Sequence, residues 1–224
     1  STQNAKGVIK QKIREEERNS IYRDFIEHEH GIMTGVVQRN LGKNISINLG
    51  KADAILAENE QIKGETLKPN QRVKVYLLEV KNNPRGPRIS VSRTHPDLVK
   101  CLFTEEVSEI REGVVEIMEI AREAGSRTKM AVISHDENVD PVGACVGVNG
   151  TRVNSIVDEL GGEKIDIINW DENPAFLIEN ALSPAKVICV VADEDSKGAV
   201  VIVPDYQLSL AIGKEGQNAR LAAK

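Results

Sequence analysis

A block of twelve residues recurs at an offset of 66, and this repeat restricts the fold more than any other feature of the chain. Residues 142–153 (VGACVGVNGTRV) align with 208–219 (LSLAIGKEGQNA), and each copy sets Gly-x-x-Gly between two short helical segments. A single such loop is most often a helix–turn–helix corner with capping glycines. Two of them, each preceded by a helix and two strands, describe a duplicated unit. The loop also has a physical use. Its glycines turn tightly and let a sugar-phosphate backbone approach without meeting a Cβ. The helix that follows directs free N–H groups and its positive dipole end at that backbone.

The surrounding pattern places the repeat within a longer order of elements. Residues 5–27 read as a charged helix, with Ile9 and Ile13, then Ile21 and Phe25, at i,i+4. It carries too little apolar surface to stand alone and reads as a connector. From Gly31 the period changes to two: Ile45, Ile47 and Leu49, then Val73, Val75 and Leu77, then Ile89 and Val91 alternate with polar residues. With 31–39 and 51–57 these make five short strands, which a small barrel closes without free edges. After His95-Pro96 come a helix (97–103), strands (114–122 and 128–134), helices (141–146 and 151–160) and a strand (163–170), an αββααβ series. A second series follows: helix 174–182, strands 186–192 and 199–203, helices 206–212 and 217–223. The counterpart of strand 163–170 would fall at 229–236, so the second unit is expected to lack its last strand. Its terminal helix is expected to fray or to be held by a neighbouring chain.

Charge follows the same partition. The chain of 224 residues has a formal net charge of −5. Residues 1–30 are neutral, 31–94 carry +6 and 95–224 carry −11. Such steps mark separate modules. An acidic second half can still take a nucleic acid through backbone dipoles and a few basic side chains.

Three runs carry a resemblance: DPVGACVG (140–147), NSIVDELGGEKID (154–166) and LSLAIGKEGQNAR (208–220). They resemble the NusA family of bacterial transcription elongation factors, as does the order of S1-type barrel, KH domain, KH domain over roughly residues 31–224. The resemblance implies an α+β multidomain fold. It comprises a connector helix (1–30, like the tail of the family's polymerase-contacting domain), a five-stranded OB-type, S1-like β-barrel (31–94), and two type II KH domains (95–171 and 172–224), the second truncated. It implies single-stranded RNA as ligand and, in a longer protein, RNA polymerase and other elongation factors as partners. The implied RNA contacts are Gly147, Val148, Asn149, Gly150, Thr151 and Arg152 in the first loop. In the second they are Gly213, Lys214, Glu215, Gly216, Gln217, Asn218 and Arg220. The first loop lacks the usual basic residue, so Arg152 is expected to supply its charge. The segment 38–50 (QRNLGKNISINLG) has no aromatic, so the barrel is expected to touch phosphates through Arg39, Lys43, Arg85 and Arg88 rather than stack bases. Exchanging either glycine pair for Asp is expected to abolish RNA binding with the fold retained.

Other classes find less support. Three separated cysteines (Cys101, Cys145, Cys189) give neither a disulfide framework nor a zinc knuckle, and suit a reducing, cytoplasmic setting. Only seven aromatics occur, with none of the clustering an RRM needs. The four histidines form no evident catalytic or metal group, and no Walker-type or dinucleotide loop is present. Asp193-Glu194-Asp195 reads as a solvated hairpin ahead of a magnesium site. No enzyme, cofactor or metal is therefore expected. Two alternatives remain open: an accessory RNA-binding module of a phosphorolytic exoribonuclease, and an acidic protein-interaction scaffold.

Overall fold

The alternating segments from Gly31 onward close into a barrel. In the computed structural model, which describes residues 2–224, β1 (Ile32–Leu41), β2 (Asn44–Asn48), β3 (Asp53–Leu56), β4 (Arg72–Lys81) and β5 (Arg88–Ser92) follow the order β1-β2-β3-β5-β4, with β4 returning to β1. Neighbours are antiparallel except β3 and β5. Inward residues of every strand, among them Val37, Ile47, Leu56, Val75, Leu77 and Val91, form one buried cluster. Each contributes roughly 1.5–3 kcal/mol through removal of its side chain from water. Gly35 allows β1 to cross the interior: a Cβ there would lie 2.3 Å from the Ile47 side chain.

Helix α1 (Thr2–Ile26) precedes the barrel, and only its last turns pack. Phe25 is buried in the barrel cluster, with Ile21, Tyr22 and Ile26 beside it. Lys51 Nζ meets Asp24 at 2.6 Å, and the Arg18 guanidinium donates to the Pro84 carbonyl. Ile9 and Ile13, a helical pair in the sequence, are more than half exposed, so the apolar stripe serves only at one end. The long β3–β4 connection is pinned by buried Arg93, which pairs with Glu65 and donates to the Lys74 carbonyl at 2.8 Å.

The chain forms two compact units that divide after Cys101, within helix α2 (Pro96–Glu106). In the second unit α3 (Ser108–Arg111), a single turn that the periodicity does not reveal, precedes β6 (Val115–Glu123) and β7 (Arg127–Ser134). Then come α4 (Pro141–Val146), α5 (Thr151–Glu159) and β8 (Lys164–Asn169). The sheet runs β6-β7-β8, with β8 parallel to β7. Glu163 is expected to open the last strand, but it is fully buried just ahead of it. There it accepts from Arg122 Nη2 at 3.0 Å, Thr128 Oγ1 at 2.7 Å and the Gly125 amide at 2.7 Å.

The repeat continues with α6 (Pro174–Ala181), β9 (Cys189–Asp193), β10 (Gly198–Ile202), α7 (Leu208–Ile212) and α8 (Gln217–Ala223). β9 starts later than the pattern predicts, because the Gln207 side chain, not a strand, takes the Lys186 amide at 2.9 Å. Only β9 and β10 form this sheet. The two repeats pack face to back: Ala131 and Ile168 on the first sheet bury against Ala181, with Leu177 and Ala222 beside them. Lys129 Nζ fastens the joint, reaching Asp166 at 2.9 Å and the Ser183 carbonyl at 2.8 Å. Helix α8 packs against the first repeat. Asn218 and Leu221 are buried, and Gln217 and Arg220 are tied to β6. Among the described residues no helix is long and apolar enough to cross a membrane.

Candidate nucleic-acid interface

The two glycine loops have one backbone shape. Helix α4 starts with Pro141, and the Asp140 carboxylate caps it by accepting from the Val142 amide at 3.2 Å. It ends at Gly147, whose φ of 77° and ψ of 173° belong to glycine alone. Asn149 (φ 55°, ψ 26°) and Gly150 (φ 74°, ψ 14°) then turn left-handed into α5. Sixty-six residues on, Gly213 (78°, 169°), Glu215 (55°, 25°) and Gly216 (77°, 11°) repeat each value within about five degrees. The hydrogen bonds repeat too. Gly150 donates to the Gly147 carbonyl at 3.2 Å and Gly216 to that of Gly213 at 3.1 Å.

What faces solvent differs between the loops. Val148 is 79% exposed and Asn149 is exposed, so the first loop presents no charge of its own. The second presents Lys214 beside Glu215, both exposed. Thr151 is exposed at the start of α5. Neither loop is a basic patch; any anion here meets backbone first.

Arg152, expected to supply the charge that the first loop lacks, is engaged within the fold. Its Nη1 donates to Glu109 Oε2 at 2.8 Å and to the Ala144 carbonyl at 2.7 Å. The side chain thus lies under Gly147, where an added Cβ would meet its Cγ at 2.8 Å. Glu109 is held below the ordinary carboxylate value, first by a backbone hydrogen bond and then by those from Arg152 and Ser108. Beneath the same loop, burial pushes the Cys145 thiol up to about 12.

Three candidates after the second loop also serve the fold. Asn218 is fully buried and donates to the carbonyls of Leu182 (3.0 Å) and Ala211 (3.1 Å). Gln217 Nε2 donates to Glu123 Oε2 at 2.9 Å and Ser126 Oγ at 2.6 Å. Arg220 forks onto both Glu123 oxygens, with Nη2 to Oε2 at 3.0 Å, while Nη1 holds the Glu215 carbonyl at 3.0 Å. Hydrogen bonds from Arg220, then from Gln217, bring the Glu123 carboxyl down to about 2. Gln217 and Arg220 thus tie the loop to the first repeat, and Asn218 holds it within the second.

The four barrel residues do not form one path. Arg39, Lys43, Arg85 and Arg88 are all exposed. Because β1 and β4 are antiparallel, the β1–β2 turn with Arg39 and Lys43 and the β4–β5 turn with Arg85 and Arg88 lie at opposite ends of the ladder. Lys43 also sits 3.7 Å from Glu58.

The structure adds a cleft that the periodicity does not predict. A cavity of about 640 Å³ is lined by Asp140 and Val142 of the first loop's helix, Ile167 and Asn169 of β8, and Asn180 and Lys186 of the second repeat. These residues meet only through packing of the two repeats.

Family models of the NusA-like first KH domain and the NusA-like second KH domain match residues 93–170 and 174–224, together more than half of the chain. The whole chain is 56% identical to the transcription termination/antitermination protein NusA of Bacillus subtilis, covering 60% of that protein. The chain belongs to the NusA family. The NusA of Thermus thermophilus is 48% identical over 99% of this chain and 58% of its own length; that of Rickettsia prowazekii is 42% identical over all of this chain and 45% of its own. The chain thus spans about 60% of the length of the NusA proteins of Bacillus subtilis and Thermus thermophilus.

Proposed function

We propose that this chain is a non-catalytic RNA-binding part of a transcription factor. It holds single-stranded RNA at Gly147, Val148, Asn149, Gly150 and Thr151 and at Gly213, Lys214, Glu215 and Gly216. In the longer protein it thereby modulates pausing, termination and antitermination by RNA polymerase. The observation that carries this reading is the pair of loops with matching torsions, each leaving its backbone open to an approaching phosphate. The relatives' names, transcription termination/antitermination proteins, supply the process. Arg152, Gln217, Asn218 and Arg220 act in this reading as supports for the loops. The barrel, which we bound at 31–94, offers phosphate contacts at either end.

Fluorescence anisotropy with a panel of single-stranded RNAs tests the reading. A variant with Val148→Asp and Lys214→Asp places carboxylates at exposed positions and leaves the glycines in place. At about 5 Å from a phosphate in water-like dielectric, each new charge costs about 0.8 kcal/mol. Loss of the lysine adds a similar amount, so affinity should fall at least tenfold. Unchanged affinity in the folded variant rejects the loops as the RNA grip.

A further inference from the structure

We propose that Tyr206 is a base-stacking platform for single-stranded RNA, standing in the segment that joins the cleft between the two repeats to the loop of the second. This rests on the RNA-binding reading above and adds a named contact to it. Among the described residues, Phe176 and Tyr206 alone of the seven aromatics are exposed, and Tyr206 reaches 78%. A ring that the fold leaves in water on a nucleic-acid path is available to a base.

The repeat gives its position. Sixty-six residues earlier stands Asp140, which lines the cleft between the repeats and caps α4. Tyr206 takes the same repeat position, in the single turn Asp205–Gln207 and one residue ahead of Gln207, the last residue before α7, which has no side-chain cap. The second repeat thus carries an exposed ring where the first carries a capping carboxylate. The neighbouring residue, Gln207, binds the amide of Lys186, which also lines that cleft. Beyond Tyr206, Leu208 and Ile212 on α7 are about half exposed and lead to Gly213. The segment from Gln207's contact with a cleft residue to the second loop thus carries the exposed ring and two half-exposed apolar side chains.

The chemistry suits a single strand. Every base has a π-face, so an aromatic ring adds affinity without demanding a sequence. The near-neutral loops can add little through charge, which leaves stacking as the natural complement to their backbone contacts.

The test combines protein and RNA changes. Single-stranded RNA is titrated against the unaltered chain, Tyr206→Ala, Tyr206→Phe and the Val148→Asp, Lys214→Asp loop variant. The titrations are repeated with RNAs carrying one abasic nucleotide at each successive position. Tyr206→Ala should weaken binding about tenfold, and Tyr206→Phe, which keeps the ring, should restore it. One abasic position should cost the unaltered chain about as much and Tyr206→Ala nothing further. If the loop variant loses RNA while Tyr206→Ala binds like the unaltered chain, the platform is rejected and the RNA reading stands. Equal abasic penalties at every position in both proteins would also reject stacking. A chain that binds none of the RNAs overturns both.

Discussion

The two glycines of the second loop should differ sharply in what they tolerate. At Gly213 an added Cβ would stand 2.7 Å from the Asn218 amide nitrogen and 2.8 Å from its Cβ. The backbone torsions there are open only to glycine, and holding another residue in them costs about 1–3 kcal/mol. Relief requires α8 to move away from α7. That motion breaks one or both of the buried bonds from Asn218 to the Leu182 and Ala211 carbonyls, each break costing about 1–3 kcal/mol. Gly213→Ala should therefore lose about 2–9 kcal/mol locally, with a middle value of about 5.

Gly216 lies in the ordinary left-handed region, and a Cβ there would meet nothing nearer than Arg220 Nη1 at 4.0 Å. Gly216→Ala should cost only about 1–2 kcal/mol. Hydrogen exchange at the amides of α7 and α8 measures both. A gap of about 2 kcal/mol appears as roughly thirtyfold faster exchange in the Gly213 variant. Equal exchange in the two variants would refute the packing argument. The same geometry predicts that Gly213→Asp and Gly147→Asp disturb the local fold along with any RNA contact. Gly216→Asp keeps the test of RNA binding clean.

Three further outcomes are expected. Glu163→Gln leaves Arg122 buried without its counter-charge and should cost about 3–5 kcal/mol in urea unfolding, with much of it regained by Arg122→Met with Glu163→Leu; a loss under about 1 kcal/mol would mean the pair does not hold β6, β7 and β8 together. Because the folded Glu123 carboxyl lies near 2, below its ordinary 4.5, the contact with Gln217 and Arg220 contributes fully above 4.5 and is lost as pH falls toward 2. Exchange at α8 should accelerate over that window in the unaltered chain and not in Glu123→Gln. For RNA affinity against salt, each phosphate contact contributes a slope of about −0.7; Arg39→Gln with Lys43→Gln and Arg85→Gln with Arg88→Gln should flatten it separately, and a slope unmoved by either pair takes the barrel off the RNA path.

How much of this was legible depended on how local each signal was. Pro141 and Asp140 mark the start of α4, and Gly147 its end, so that helix can be bounded from sequence alone. The barrel is equally readable, because period-two alternation needs only neighbours along the strand. Helix α3 is not: four residues with no side-chain cap leave no pattern. Nor is the fate of the arginines. Arg152 finds Glu109 across 43 positions and Arg220 finds Glu123 across 97. A guanidinium read as a phosphate contact and one spent on a carboxylate look identical until the chain is folded. The barrel's four cations hide their placement for a related reason: their spacing does not reveal the antiparallel run of β1 and β4 that parts them into two pairs.

The joint through Lys129, Glu123 and the buried Ala131–Ile168 face has a consequence for how such a protein would sense a transcript. Two grips on a slack tether meet their ligand at an effective concentration that changes gradually with ligand length. Two grips clamped to one body present a fixed gauge. A strand too short to reach from the first loop to the second gains nothing from the second, and one that just spans them gains it all at once. Affinity then rises with RNA length as a step. Under the RNA-binding reading, the chain would then register how long a single strand is as well as which bases it carries.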